Sequence, residues 1–375
     1  MNKEVSPVVA FIIIALILCP LVFWGWAAGE RALQVAGTLY LETTSENKLS
    51  IQADHLVVIQ DELGVDSDIL DLGRLGVDNP QGNVSYFNDG HLLVRAGKSA
   101  YGIIDYVTMQ EAQDSEFEAR QQELGELKEA DQILLKCTMD LDQCKSLGSI
   151  KAPWRHRLFI DPKYQYVHVV DGLGHEVRSY NQYGMLLSSF KSGLRFPKRI
   201  RCYRDSCYLV DTNNRRLVSL SQNEAGGFMV NGELVFEKLG DDFNWIIDAY
   251  QVDGNWWVIS ADNSMRTSKV NIFDQKGRFK QRLKLEDDAE PFDILLKDNE
   301  VLISDIASGE IFRFDPRGEQ LGKVNSAKVQ EYFSKLITER EKYDQYVFFS
   351  KLFLALLGII GTGLLLHFGR KSKAS

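Results

Sequence analysis

Two apolar runs bracket a long stretch of short alternating segments. Residues 8–28, VVAFIIIALILCPLVFWGWAA, carry no charge. At about 1.5 Å of rise per residue they are long enough to cross a hydrocarbon core of roughly 30 Å. Trp24 and Trp26 fall where amphipathic rings sit at headgroup level. A cleaved signal peptide competes with this reading, because Gly25-Trp26-Ala27 offers small residues where a signal peptidase looks. The run is longer than the usual signal core of roughly 7–15 residues, which favours an uncleaved anchor. Residues 346–368 form a second run, ionisable only at Lys351 and His367 besides its tyrosine and followed by Arg370, Lys371 and Lys373. A cationic flank of this kind marks the cytoplasmic side. The expectation is an inner-membrane protein with two spans, both termini cytoplasmic, and residues 29–345 on the periplasmic side.

Within that middle region the apolar positions alternate at period two, and Asn, Asp and Gly turns separate the runs, as expected of antiparallel meanders. Four segments share one order: an alternating strand, a polar turn, a strand ending in Asp, a short connection, a third strand, a Gly turn and a fourth strand. The clearest is residues 291–324, PFDILLKDNEVLISDIASGEIFRFDPRGEQLGKV. The strand-ending residues Asp171, Asp211, Asp262 and Asp305 are spaced 40, 51 and 43 residues apart, a propeller-blade period. Two divergent copies lie upstream, in LSIQADHLVVIQDELGVDSDILDLG and GNVSYFNDGHLLVRAGKSAYGIIDYV, which makes six blades. An aspartate recurring once per blade is read as capping a turn by accepting from backbone N–H groups. Residues 37–41, Gly-Thr-Leu-Tyr-Leu, are assigned as an outer strand closing the ring against the last blade.

These features resemble NHL-type repeats, the short-blade family that builds six-bladed propellers. The resemblance covers about residues 49–324, most clearly 152–324, and rests on the apolar-Pro blade opening, the strand ending in Asp and the following Gly turn. It implies an all-β, six-bladed β-propeller (NHL-like), here flanked by N- and C-terminal transmembrane helices.

The organisation that follows is a short cytoplasmic N-terminus (1–7), a first span (8–28), a propeller (29–325), an amphipathic stalk helix (326–345), a second span (346–368) and a basic tail (369–375). The stalk places Val329, Tyr332, Phe333, Leu336 and Ile337 on one stripe. An insertion at about 108–132 is rich in Glu, Gln and Ala and predicts a helix. Phe117, Leu124 and Leu127 share one face of it. That ridge is the first candidate for a partner site, against the plainer reading of a solvated excursion.

Composition narrows the chemistry. A net charge of −9 removes the broad basic surface that nucleic acid requires. Cys137 with Cys144 and Cys202 with Cys207 each flank a polar stretch between strand-like runs, so each pair is a candidate hairpin disulfide. Free thiols or a metal site are the rivals, although neither pair has the C-x2-C spacing of a zinc knuckle. No Walker loop, Gly-x-Ser-x-Gly elbow or His-Glu-x-x-His helix is present. The functional expectation is therefore a non-enzymatic, membrane-anchored scaffold without cofactor, partnered by the bilayer and by another membrane or periplasmic protein. The alternative is a calcium-dependent propeller hydrolase or lactonase.

Overall fold

The computed structural model describes residues 20, 23–29, 37–75, 84–96, 132–150, 156–203, 206–240, 242–263 and 267–371. The chain divides into two compact units, residues 37–334 and residues 1–36 with 335–375. The first unit is a six-bladed β-propeller. Six four-stranded antiparallel sheets follow one another, and in each the strands neighbour one another in chain order. They occupy residues 39–71, 85–150, 156–190, 197–235, 245–282 and 291–324. The first strand of each blade is the innermost, since Leu39–Thr43, His156–Ile160, Pro197–Tyr203, Trp245–Val252 and Pro291–Lys297 approach one another across blade boundaries.

Alternation makes this architecture because each sheet must bury both faces, and it does so against its two neighbours. Six apolar clusters result, one at each blade boundary. Trp257, Ile259, Ile294 and Phe312 belong to the seam between blades 5 and 6, and Leu209, Val218, Val170 and Val177 to that between blades 3 and 4. The ring closes differently from the sequence expectation. Leu39–Thr43 pairs with Leu49–Ala53 as the inner strand of blade 1 and adds nothing to the outer edge of blade 6. The reason lies in its alternation: Leu39 and Leu41 are fully buried and pack face to face with Leu295, Leu302 and Ile311 of the last blade. The Ser304 hydroxyl donates to the Leu39 carbonyl at 2.7 Å across the same boundary.

Both cysteine pairs are disulfides between directly opposed residues of hairpins, Cys137–Cys144 in blade 2 and Cys202–Cys207 in blade 4. The third and fourth strands of blade 2, Gln132–Cys137 and Cys144–Ile150, follow residues 97–131 in the chain. The proposed insertion helix and its ridge, Phe117, Leu124 and Leu127, lie outside the described residues.

A helix runs without interruption over Ala327–Lys371. Ser326 caps it, its hydroxyl oxygen accepting from the Val329 N–H at 3.2 Å. The first turns are docked on the propeller and are no free stalk: Val329 and Phe333 are buried in the seam between blades 6 and 1, and the Tyr332 hydroxyl donates to Asp54 at 2.8 Å. Gly309 permits the approach, because its φ is +76° and a Cβ there would come within 2.3 Å of the Phe333 ring.

In the second unit, residues 23–29 are helical. The Trp24 and Tyr346 rings lie 5.0 Å apart, and a Cβ on Gly25 would meet the Ser350 Cβ at 2.6 Å. Among the described residues no helix is long and apolar enough to cross a membrane. This corrects the expected flanking transmembrane helices, and with them the two-span inner-membrane placement with cytoplasmic termini and a periplasmic propeller. Residues 8–19, 21 and 22 of the first apolar run lie outside the described residues.

One buried base makes stability depend on acid. His168 is inaccessible to solvent; Gln222 donates to its Nε2 at 3.1 Å, and the Nδ1 proton goes to Ser179 at 3.0 Å. Burial lowers its pKa from 6.5 to about 3. The unfolded chain therefore binds the extra proton between those values, and stability rises with pH across that window. Replacing His168 with Gln should remove a loss of about 4 kcal/mol accumulated between pH 6.5 and pH 3, read from chemical denaturation at stepped pH. A parent-like acid slope in the variant would refute the assignment.

Candidate functional site on the propeller axis

The inner strands of blades 4, 5 and 6 carry the same irregularity. Their pairing with the second strand slips between Pro197 and Arg199, between Ile246 and Asp248, and between Pro291 and Asp293. A bulge re-aims the residue that follows it, and in all three blades that residue is charged. Arg199, Asp248 and Asp293 stand opposite Val210, Ile259 and Ser304 of their second strands, and Arg157 of blade 3 stands opposite Val170 in the matching place. All four are buried.

They converge. Asp293 accepts from Arg157 Nη2 at 3.0 Å, from Arg201 Nη2 at 3.1 Å, from Arg199 Nη1, and from the backbone N–H groups of Leu41 and Ile294 at 2.9 Å each. Asp248 accepts from Arg201 Nη2 at 2.8 Å, from Arg199 Nη1 at 3.2 Å, and from the Ile294 and Ala249 N–H groups at 3.0 and 2.9 Å. The Arg201 guanidinium also donates to the Ile294 carbonyl. Two aromatic faces back the arginines, with Tyr40 4.4 Å from the Arg157 guanidinium carbon and Tyr250 4.7 Å from that of Arg201. The Nε of Arg157 is buried without an acceptor.

Glu42, on the inner strand of blade 1, completes the cluster. It keeps partial exposure, as do Tyr40, Tyr250 and Phe292. No hydrogen bond to its carboxyl is found among the described residues. Burial pushes its pKa up, against the pull of Arg199, Arg201 and Arg157 and with help from Asp293. Asp248 moves the other way: burial opposes ionisation, but Arg199 and Arg201 outweigh it and hold the carboxyl well below the usual range. Burial pushes Asp293 up against Arg157 and Arg199. Arg199 is lowered to about 10 by burial and by Arg157 and Arg201 beside it, and so remains charged at neutral pH. With Glu42 protonated, three guanidiniums therefore face at most two negative charges.

The strand-ending aspartates lie elsewhere, in turns. Asp171 accepts from the Gly174 N–H at 2.8 Å and from Arg178 at 2.7 Å; Asp211 from the Arg195 N–H, Asn214 and Arg216. Asp305 accepts from the Glu290 and Ala307 N–H groups and from Ser308, and Asp262 from the Thr267 N–H at 3.5 Å. The axial residues were not singled out from the sequence, although a signal was present. The second residue after the blade-opening proline is Arg in PKR and Asp in PFD, and Asp stands at the same step of IID; a charge recurring at one step of successive inner strands is where a propeller axis shows.

A calcium ion asks for six to eight oxygen ligands. Here both aspartates are already occupied by guanidiniums. Among the described residues no group of three or more His, Cys, Asp or Glu side chains is placed to hold a metal ion. The donor set does not fit the calcium of the alternative expectation.

The fold and this cluster define a six-bladed propeller with an arginine–carboxylate axis. Solved structures share the fold. A periplasmic gluconolactonase from Pseudomonas aeruginosa is 13% identical, with a TM-score of 0.50, covering 76% of this chain and 85% of that one. A virginiamycin B lyase from Staphylococcus aureus is 10% identical with a TM-score of 0.47, covering 78% and 86%, and a chain of a nidogen/laminin complex is 10% identical with a TM-score of 0.47, covering 78% and 94%. No known protein family is matched by the sequence, and no curated protein matches it. The expectation of a non-enzyme, which rested on the absence of familiar motifs, is corrected here, because an enzyme, the gluconolactonase, stands among the solved structures that share the fold.

Removing one partner of a buried ion cluster leaves the others uncompensated. Asp293→Asn should lower stability by about 3–5 kcal/mol, whereas Asp298→Asn, at an exposed carboxylate beside Lys297, should cost under about 1 kcal/mol. Equal losses in denaturation midpoints would show that Asp293 does not anchor the cluster.

Proposed function

We propose that the axial cluster is an acid–base catalytic site that hydrolyses a small ester or lactone, with Glu42 as the proton carrier. One observation carries this reading: a partly exposed carboxyl with a raised pKa and no hydrogen-bond partner among the described residues stands beside three guanidiniums. Such a group is suited to give and take a proton, and guanidiniums fixed by buried aspartates are preorganised to face developing negative charge. In the reaction, water adds to the carbonyl carbon, and the carbonyl oxygen takes up negative charge against Arg201. Collapse of the tetrahedral species breaks the bond to the leaving oxygen, which takes the Glu42 proton. The proton shed by the attacking water restores Glu42. At the level of the repeat, we read the blades as NHL-like, supported by the apolar-Pro opening and the strand-ending aspartates.

The test is turnover of γ- and δ-lactones and of p-nitrophenyl esters by the full chain. Glu42→Gln, which keeps shape and loses the transferable proton, should lower kcat by about 10²–10⁴-fold with KM nearly unchanged. Parent activity should fall as pH rises through the Glu42 pKa. A Gln variant as active as the parent would end this reading.

A further inference from the structure

The charge balance of the axis says more about the substrate than the presence of an acid does. With Glu42 ionised, three guanidiniums meet three carboxylates. With Glu42 protonated, at least one positive charge in a largely buried setting lacks its counter-charge, an arrangement that is costly unless something negative is supplied. The unpartnered Arg157 Nε, on a side chain 9% exposed, is an independent sign of unfilled donor capacity in the same place. Glu42, Tyr40, Tyr250 and Phe292 keep partial exposure there, so the cluster can be reached from solvent. These guanidiniums already hold two planar carboxylates, the geometry that the arginine fork matches best.

We infer that the small molecule acted on here carries a carboxylate, and that this monoanion docks beside Arg157 and Arg201 in place of the charge Glu42 gives up on taking a proton. The inference rests on the hydrolase reading for the site and extends it to the substrate's second group. One unit of charge and a planar fork select a planar carboxylate over tetrahedral phosphate, which is partly dianionic near neutral pH.

Binding and protonation are then linked. Above the Glu42 pKa the anion must wait for a proton, so affinity falls with rising pH by up to about tenfold per unit. The other groups facing Glu42 do not supply this slope. Arg199 and Arg201 stay charged, Asp248 is held ionised, and Tyr86 of blade 2 and Tyr250 of blade 5 are pushed upward by burial and stay neutral. Asp293, the remaining neighbour, is left unchanged in the variant used below, so any slope from it would persist.

The experiment is titration calorimetry of the full chain with glycolate, its neutral counterpart glycolamide, and inorganic phosphate, in buffers of differing ionisation enthalpy. Glycolate should bind with uptake of a proton and weaken as pH rises, and neither glycolamide nor phosphate should match it. Glu42→Gln should bind glycolate with no pH slope, and Arg157→Lys should weaken it at least tenfold. Equal binding of glycolamide, tighter binding of phosphate, or a parent-like slope in Glu42→Gln would each overturn the proposal. Glycolate binding of this kind without ester or lactone turnover would remove the hydrolase reading and leave the anion site standing. Turnover indifferent to a carboxylate on the substrate would do the reverse.

Discussion

The carboxylate of Asp293 is the point at which the ring is tied. It sits on the inner strand of blade 6 and accepts from the Leu41 N–H of blade 1, from Arg157 of blade 3, and from Arg199 and Arg201 of blade 4. A propeller whose blades are each one continuous meander has no strand shared between its first and last sheets. Its closure relies on side chains, and here a buried acceptor on the axis joins the two ends of the ring. The apolar seam formed by Leu39, Leu41, Leu295 and Leu302 supplies the burial. The ion cluster adds little net stabilisation over an apolar replacement, since desolvation offsets most of the attraction between buried charges. What it contributes is directional: a carboxylate with five donors has one arrangement that satisfies them.

The same cluster sets the chemistry. Asp248 and Asp293 absorb the charge of three arginines only in part, and they fix the guanidinium planes so that little reorganisation is needed when new charge develops nearby. Glu42 accepts no hydrogen bond from the arginines among the described residues and burial favours its neutral form; burial pushes Asp293 the same way, and Asp248 alone of the three is held well below the usual range. Two kinds of carboxyl within one cluster, one held ionised and one pushed toward protonation, form the pattern from which acid and base roles are assigned.

Much of the propeller was legible along the chain. Period-two alternation, turn residues and aspartates at blade-length spacing are local properties, and they led to six blades and to both disulfides, because hairpin partners such as Cys202 and Cys207 are neighbours in sequence. The course of the first strand was misread, since an alternating strand at the start of a ring can join the first blade or the last, and only the packing of Leu39 and Leu41 decides. The two apolar runs were read by hydropathy alone as spans, and the described helices do not support that reading. The axial site was not foreseen: Glu42, Arg157, Arg199, Arg201, Asp248 and Asp293 come from five blades, and each looks unremarkable in its own strand.

Sequence by itself thus determined the class of fold, because strand period and turn chemistry act over a few residues and repeat. The tertiary structure alone decided how the ring closes, where the helix beginning at Ala327 docks, and which charged side chains share the axis. Those outcomes depend on contacts between residues up to 278 positions apart, as between Asp54 and Tyr332, and on desolvation that gives each carboxyl its charge state only after the blades have been brought together.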